Sequence, residues 1–99
     1  MVYLTVDEIK KQCNIEPIFT EDDTYLELLG DAAEQWVEAQ LNVQLDDLTA
    51  EFSGELPTPV KLAMLLFCSF MYDHRGTDDP DLPPALFALL QMYRTYSIA

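Results

Sequence analysis

The residues that could perform catalysis cluster at one place, where Asp73, His74 and Arg75 follow the apolar run MLLFCSFM containing Cys68 and Ser69. A carboxylate that orients an imidazole beside a thiol or hydroxyl is the arrangement of nucleophilic catalysis. Adjacent residues on a helix point about 100° apart, so Asp73 and His74 cannot orient each other. The sequence has no Gly-x-Ser-x-Gly turn and no second histidine. We therefore predict no catalytic site, with His74 and Arg75 at the negative end of a helix dipole.

Metal binding is not predicted either. The single histidine and the two cysteines, Cys13 and Cys68, do not have the spacing of a zinc site. The acidic runs at 46–47 and 78–81 lack the alternating ligands, central glycine and terminal glutamate of a calcium-binding EF-hand loop. We interpret these carboxylates as solvated turn residues and expect no cofactor.

A regular row of carboxylates is the most distinctive polar feature of the chain. Its members are spaced by four, four, three and four residues along a predicted helix: Asp23, Glu27, Asp31, Glu34 and Glu38. No lysine or arginine lies between residues 12 and 60, and like charges at this spacing destabilise a helix by about 0.2–0.5 kcal/mol per pair. The row is either an ordinary solvated face or a deliberately electronegative surface, which would meet a basic partner or repel DNA. We call these five residues the acidic stripe.

Charge and length restrict the possible functions. The 99 residues carry a net charge of −13, and residues 1–55 account for −12 of it. Gripping a nucleic-acid backbone requires clustered lysine and arginine, which are absent. A chain of this length forms one domain, 1–99, whose small core favours stabilisation by oligomerisation. The absence of a signal-peptide pattern and the two isolated cysteines predict reduced thiols in an intracellular protein.

The elements that position these residues are predicted to be helices only. Thr5 and Glu8 form a capping box that opens the first helix, and Thr20 is the predicted N-cap of the second. Thr58, followed by Pro59, is the predicted cap of the third helix, which ends at Gly76, and a fourth begins at the prolines 83–84. The fold class is therefore all-α, a small bundle of about four helices.

Two segments of this bundle have particular roles. The third helix is apolar except for one row of polar residues, Lys61, Ser69 and Asp73, so we predict that it is the buried central helix with one narrow wet seam. Its apolar stretch is far shorter than the roughly 20 residues needed to span a membrane. Residues 43–57 lack a sustained period and contain four acids, a glycine and a proline. They predict an irregular acidic loop or short strand pair between the second and third helices.

The order of these pieces resembles the head–tail connector family of tailed bacteriophages and prophages. The resemblance covers nearly the whole chain and rests on four segments: YLTVDEIKKQCNI, DDTYLELLGDAAEQWVEAQL, LPTPVKLAMLLFCSFMYDHRG and LPPALFALLQMYR. In the second segment, the features shared with the family are the Asp-Asp start, the paired alanines and the aromatic-x-Glu ending. In the third segment, they are the initial Leu-Pro and the final Tyr-x-x-Arg. Residues 43–56 and the final TYSIA carry no signature of the family.

The resemblance implies a structural virion protein without enzymatic activity, assembled in the bacterial host cytoplasm. Such proteins form a ring, typically dodecameric, on the portal protein, extend the DNA channel and present a docking surface to the next head-completion or tail protein. DNA passes through without being tightly bound, and no membrane is involved. The helix-terminal Arg75 and Arg94 match family arginines and are expected to form structural ion pairs. Tyr93, Tyr96 and Ile98 are apolar for a C-terminal tail and are expected at an interface.

Two other kinds of function remain open at this stage. A stand-alone acidic interaction module, or DNA mimic, would use the acidic stripe to bind a basic partner protein. An enzyme or metal protein would be built around His74, and retention of function after His74→Ala would exclude it.

Overall fold

The fold consists of helices throughout the residues that the computed structural model describes, which are 3–74, 82–91 and 93. The helices are α1 (Val6–Gln12), α2 (Asp23–Leu41), α3 (Leu45–Glu51), α4 (Thr58–Asp73) and α5 (Pro84–Gln91). The prediction of an all-α bundle is confirmed. None of the helices in the described ranges is long and apolar enough to cross a membrane.

The core lies between α2 and α4, the two longest helices, which form the most extensive helix–helix contact of the described chain. Helix α1 lies against both of them, and α5 packs mainly on α4. The fully buried side chains Leu26, Val37 and Leu41 of α2 meet Val60 and Met64 of α4 in one apolar cluster. The helix predicted to be central is therefore in contact with three others, and the prediction is confirmed.

The exposed face of α4 is wider and more apolar than the predicted wet seam. Leu62 is 40% exposed, and Leu66 and Phe70 on the same side are only half-buried. The seam was predicted too narrow because, among the described residues, the eight-residue α5 leaves part of α4 uncovered. The result is an apolar surface beside the α4–α5 contact.

Aromatic packing joins the C-terminal helix to the rest of the bundle. Trp36 of α2 stacks on Phe67 of α4 with ring centroids 5.2 Å apart. The same indole meets the edge of Phe87 in α5 at 5.7 Å. Stacked and edge-to-face pairs at these separations stabilise a core beyond the area they bury. Trp36 thus connects three helices.

The first helix forms as its sequence predicts. The Thr5 hydroxyl accepts from the Glu8 N–H at 3.1 Å, and the Glu8 carboxylate accepts from the Thr5 N–H at 3.0 Å, which completes the capping box. Glu8 also forms an ion pair with Lys61 of α4. The Lys61 ammonium lowers the pKa of Glu8 below its ordinary value, so this cap also attaches α1 to α4.

The segment predicted to be irregular contains a helix, α3, and the prediction was wrong for Leu45–Glu51. Its N-cap residue, Gln44, makes no side-chain cap. Glu38 of α2 accepts from the Leu45 N–H instead, at 2.9 Å, while Leu45 and Leu48 are buried three residues apart. Local sequence signals missed this helix because its cap and its apolar contacts come from other parts of the chain.

The predicted N-termini of α2 and α4 also required correction. Helix α2 begins after Asp22, not Thr20, and Asp22 makes no side-chain cap because its carboxylate accepts from the Tyr72 hydroxyl at 2.7 Å. Helix α4 begins one residue earlier than predicted, with Pro57 as its N-cap and Thr58 as its first residue. It ends at Asp73, and the predicted stop at Gly76 lies outside the described residues.

The two cysteines are free thiols in different environments. Cys68 is fully buried in α4, and burial raises its pKa to about 12. Cys13 is half-buried at the end of α1, and burial raises its pKa as well. The reactive thiolate is therefore suppressed at both positions, most strongly at Cys68.

This difference predicts a selective labelling pattern. At pH 8, a thiol-specific reagent is expected to modify Cys13 at least tenfold faster than Cys68, because Cys68 has both the higher pKa and no solvent access. Peptide mass mapping over time gives the two rates, and both cysteines should react alike in denaturant. Equal rates in the native protein would show that α4 opens readily.

Candidate functional site

The acidic stripe runs along α2, but its five carboxylates occupy different environments. Glu27 and Asp31 are exposed, Asp23 and Glu38 are half-buried, and Glu34 is only 8% exposed. The helical spacing therefore places them on one side of α2 without making that side uniformly open to solvent. The exposed carboxylates lie in the middle of the helix.

Glu34 has a structural role that its place in the sequence does not suggest. Its Oε2 atom accepts hydrogen bonds from the backbone N–H groups of Tyr3 at 2.9 Å and Leu4 at 3.2 Å. A carboxylate that accepts two amide protons compensates for its own burial and for theirs. Glu34 thus attaches the N-terminal segment to α2, with the Leu4 side chain buried in the core.

The two ends of the acidic stripe are also engaged within the chain. Asp23 forms an ion pair with Lys10, with 2.9 Å between Oδ1 and Nζ. Because no lysine or arginine lies between residues 12 and 60, this partner comes from α1. Glu38 holds the start of α3 through the Leu45 N–H. The exposed part of the acidic stripe consists of Glu27 and Asp31.

The exposed part of the stripe lies in a strongly negative environment. Among the described lysines, Lys10 and Lys61 are committed to ion pairs with Asp23 and Glu8, and Lys11 is exposed on α1. The other exposed carboxylates of the described chain surround the bundle: Asp7, Glu16, Glu21, Asp46, Asp47, Glu51, Glu55 and Asp73. Such a surface attracts basic partners and repels polyanions over about one Debye length.

The residues that first suggested catalysis have structural contacts. His74 is the C-cap residue of α4, two residues before the predicted end of the helix at Gly76. Its Nδ1 atom lies 2.8 Å from the Phe70 carbonyl oxygen, and its ring stacks on Phe70 with centroids 4.1 Å apart. Cys68 is buried below this turn. Among the described residues, no group of three or more potential ligands is arranged to hold a metal ion.

The predicted residues near the C-terminus are only partly described. Tyr93 is 7% exposed and packs against Phe52 edge to face, with centroids 5.5 Å apart. Its ring is therefore mostly covered within the chain. Arg75, Arg94, Tyr96 and Ile98 lie outside the described residues.

A comparison with protein families identifies the kind of protein to which this bundle belongs. The model of the phage gp6-like head–tail connector protein family matches residues 3–80. The chain belongs to this family. The match confirms the resemblance drawn from the sequence, and it covers α1 to α4 together with the acidic stripe. No curated protein and no solved structure is significantly similar to this connector.

Family membership makes the connector a structural component of the phage virion that links head and tail. Connectors of this family are structural rather than enzymatic. The family also implies contacts with phage portal and tail proteins.

Two features of this connector were missed in the sequence. Lys10 is 3% exposed and donates to the Pro17 carbonyl at 3.1 Å besides pairing with Asp23. Nothing in the local sequence distinguishes Lys10 from Lys11. Lys10 is buried because the loop that follows α1 brings Pro17 and Asp23 to its ammonium group. Ile18 is 90% exposed in that loop. Its exposure could have been predicted, because Ile18 and Phe19 follow Pro17 in a short segment between the acidic residues Glu16 and Glu21.

Proposed function

We propose that the connector assembles as a ring on the portal, extends the DNA channel and presents a docking surface to the next head-completion or tail protein. The family match to residues 3–80 supports this proposal. The observation that carries its electrostatic part is the exposed, acidic middle of α2, with Glu27 and Asp31. DNA must move through such a ring without adhering to it.

Glu27 and Asp31 are proposed to face the channel. Repetition around a ring would multiply their charge, and the low-dielectric protein wall would focus the field into the channel. A DNA phosphate that binds lysine or arginine releases counterions, which favours binding. A phosphate that approached Glu27 and Asp31 would instead be repelled. The channel wall would then guide DNA and leave it free to slide.

Tyr96 and Ile98 are proposed to contact a neighbouring subunit or the portal. In the sequence they lie three and five residues after Tyr93, whose ring packs on Phe52.

Reversal of charge on α2 tests the channel proposal. We expect rings of the Glu27→Lys/Asp31→Lys variant to bind double-stranded DNA at least tenfold more tightly at low salt than wild-type rings. Fluorescence anisotropy with a short duplex, titrated at several salt concentrations, measures the affinity and its salt slope. Glu51→Lys/Glu55→Lys is the matched control, since it makes the same change of charge at exposed positions outside α2.

Three results would contradict parts of this proposal. Equal DNA affinity of the α2 variant and the control would show that α2 does not face the channel. An assembled ring in which Glu27, Asp31 and Glu38 are buried against basic residues of a neighbour would contradict it as well. A protein that stays monomeric with its portal and binds a basic host protein would instead be the acidic interaction module.

A further inference from the structure

Helix α3 has the least support from other helices. Among the described helices, it alone has no extensive contact with another helix. It has seven residues and no side-chain N-cap, and isolated helices shorter than about 12–15 residues are marginal in water. Its residues Leu45 and Leu48 nevertheless lie buried in the core. The position of α3 therefore depends on side-chain contacts with other parts of the chain.

Two hydrogen bonds anchor the first turn of α3. The Leu45 N–H donates to Glu38 of α2 at 2.9 Å. The Tyr3 hydroxyl donates to the Asp46 carboxylate. This second bond raises the pKa of Tyr3 above its ordinary value, because a deprotonated phenol could not donate it. Two adjacent residues of α3 are thus attached to α2 and to the N-terminal segment.

The N-terminal segment is attached to the same part of α2. Glu34 accepts from the N–H groups of Tyr3 and Leu4, at 2.9 and 3.2 Å. Glu34 and Glu38 lie about one helical turn apart, so the acceptors for the two segments belong to one stretch of helix. Leu4 is 3% exposed, and its side chain joins the same apolar cluster as the buried leucines of α3. The two segments therefore share both their support and their apolar contacts.

These hydrogen bonds form a closed circuit. It runs from Glu34 to the Tyr3 backbone, through the Tyr3 side chain to Asp46, and along the first turn of α3 back to Glu38. We call residues 3–4 together with α3 the clasp. Displacement of either segment breaks the bond between Tyr3 and Asp46, and so removes an anchor from the other segment. Segments that support each other in this way open as a cooperative unit.

The clasp is held less firmly than the core beside it. The bond between Tyr3 and Asp46 lies at an exposed position, where water competes for both groups. The contact between α2 and α4 consists instead of fully buried apolar side chains, such as Leu26, Val37 and Met64. Opening of the clasp therefore leaves the larger apolar contact intact and requires less free energy than global unfolding.

We propose that the clasp opens and closes as one unit while the α2–α4 core stays folded. The proposal rests on these contacts and is independent of the proposed ring. Opening withdraws Leu4, Leu45 and Leu48 from the core and presents their side chains to solvent. The clasp is thus a conformational device that changes the apolar surface of the connector without unfolding its core.

Hydrogen exchange of single amides in the folded chain, followed by NMR, tests this coupling. Glu38→Ala removes the acceptor at the start of α3. We expect it to accelerate exchange of the Tyr3 and Leu4 amides about fivefold, although these amides donate to Glu34. Glu34→Gln is the reciprocal variant, and it should accelerate the amides of residues 48–51 by a similar factor, because both segments leave together.

Removal of the connecting hydroxyl should abolish this cross effect. In a Tyr3→Phe background, Glu38→Ala should no longer accelerate the amides of the N-terminal segment. Tyr72→Phe is the matched control, because it removes a tyrosine hydroxyl that donates to Asp22 at 2.7 Å, outside the clasp. It should leave the cross effect unchanged. The fluorescence of Trp36, which packs between α2 and α4, should be the same in every variant.

The other outcomes would overturn the proposal. Acceleration confined to the segment that lost its own acceptor, or no acceleration in either variant, would show that the two segments open independently. Persistence of the cross effect in the Tyr3→Phe background would show that the bond to Asp46 does not connect them. An equal acceleration of the α4 amides would show that the chain unfolds globally and that the clasp does not open by itself.

Discussion

Substitution of Phe67 by alanine is expected to destabilise the bundle by about 3–5 kcal/mol, the range for truncating a buried aromatic residue. Phe67 is 7% exposed and stacks on Trp36 at 5.2 Å. Its loss would leave a cavity between α2 and α4 and would remove one side of the aromatic contact that includes Phe87. Since small domains have a free energy of unfolding of about 5–15 kcal/mol, this variant should be close to its stability limit.

Urea unfolding monitored by tryptophan fluorescence measures this loss, because Trp36 is the only tryptophan. Phe87→Ala is the matched control, since Phe87 contacts the same indole from a 36% exposed position. It should cost clearly less, because 36% of its surface stays exposed in the folded protein and correspondingly less burial is lost. Equal losses for the two variants would show that the indole, and not the α2–α4 core, determines the stability of this region.

Substitution of Glu34 by alanine is expected to cost about 2–3 kcal/mol. Hydrogen bonds to a charged group contribute about 1.5–3 kcal/mol each, and loss of the acceptor leaves amide groups unsatisfied. The affected donors are the N–H groups of Tyr3 and Leu4. The N-terminal segment should detach from α2, and the amides of both residues should exchange faster with solvent.

Hydrogen exchange together with thermal unfolding measures this effect. Glu34→Gln should lose less than half of the stability that Glu34→Ala loses, because its side-chain oxygen can still accept a hydrogen bond. Glu27→Ala is the matched surface control on the same helix and should change stability by less than about 0.5 kcal/mol. If Glu34→Ala resembled Glu27→Ala, the contact with the N-terminal segment would contribute nothing to the fold.

These two substitutions also separate folding from the proposed electrostatic function. Both Glu34 and Glu27 belong to the acidic stripe, yet only Glu34 is buried. A loss of assembly after substitution of Glu34 would therefore be ambiguous, because the fold itself depends on it. Changes at Glu27 and Asp31 leave the described structural contacts of Glu34 and Glu38 in place, so they are suitable for testing the surface.

The sequence was sufficient to predict the helices whose signals are local. The capping box of Thr5 and Glu8, the long apolar period of α2 and the apolar run of α4 each depend on residues within a few turns of one another. Side chains at such spacing meet on the helix itself, so their pattern determines the helix. The order of these helices was also sufficient to suggest the connector family, which the match to residues 3–80 confirms.

Tertiary structure decided which polar residues are structural. Glu34 and Glu27 have the same charge and lie on the same predicted face, but one accepts two backbone protons and the other faces solvent. Lys10 and Lys11 are adjacent and chemically identical, yet only Lys10 meets Pro17 and Asp23. Helix α3 depends on a carboxylate seven residues before its start. A linear pattern records the spacing along one helix, whereas burial and pairing depend on which other segments fold against it.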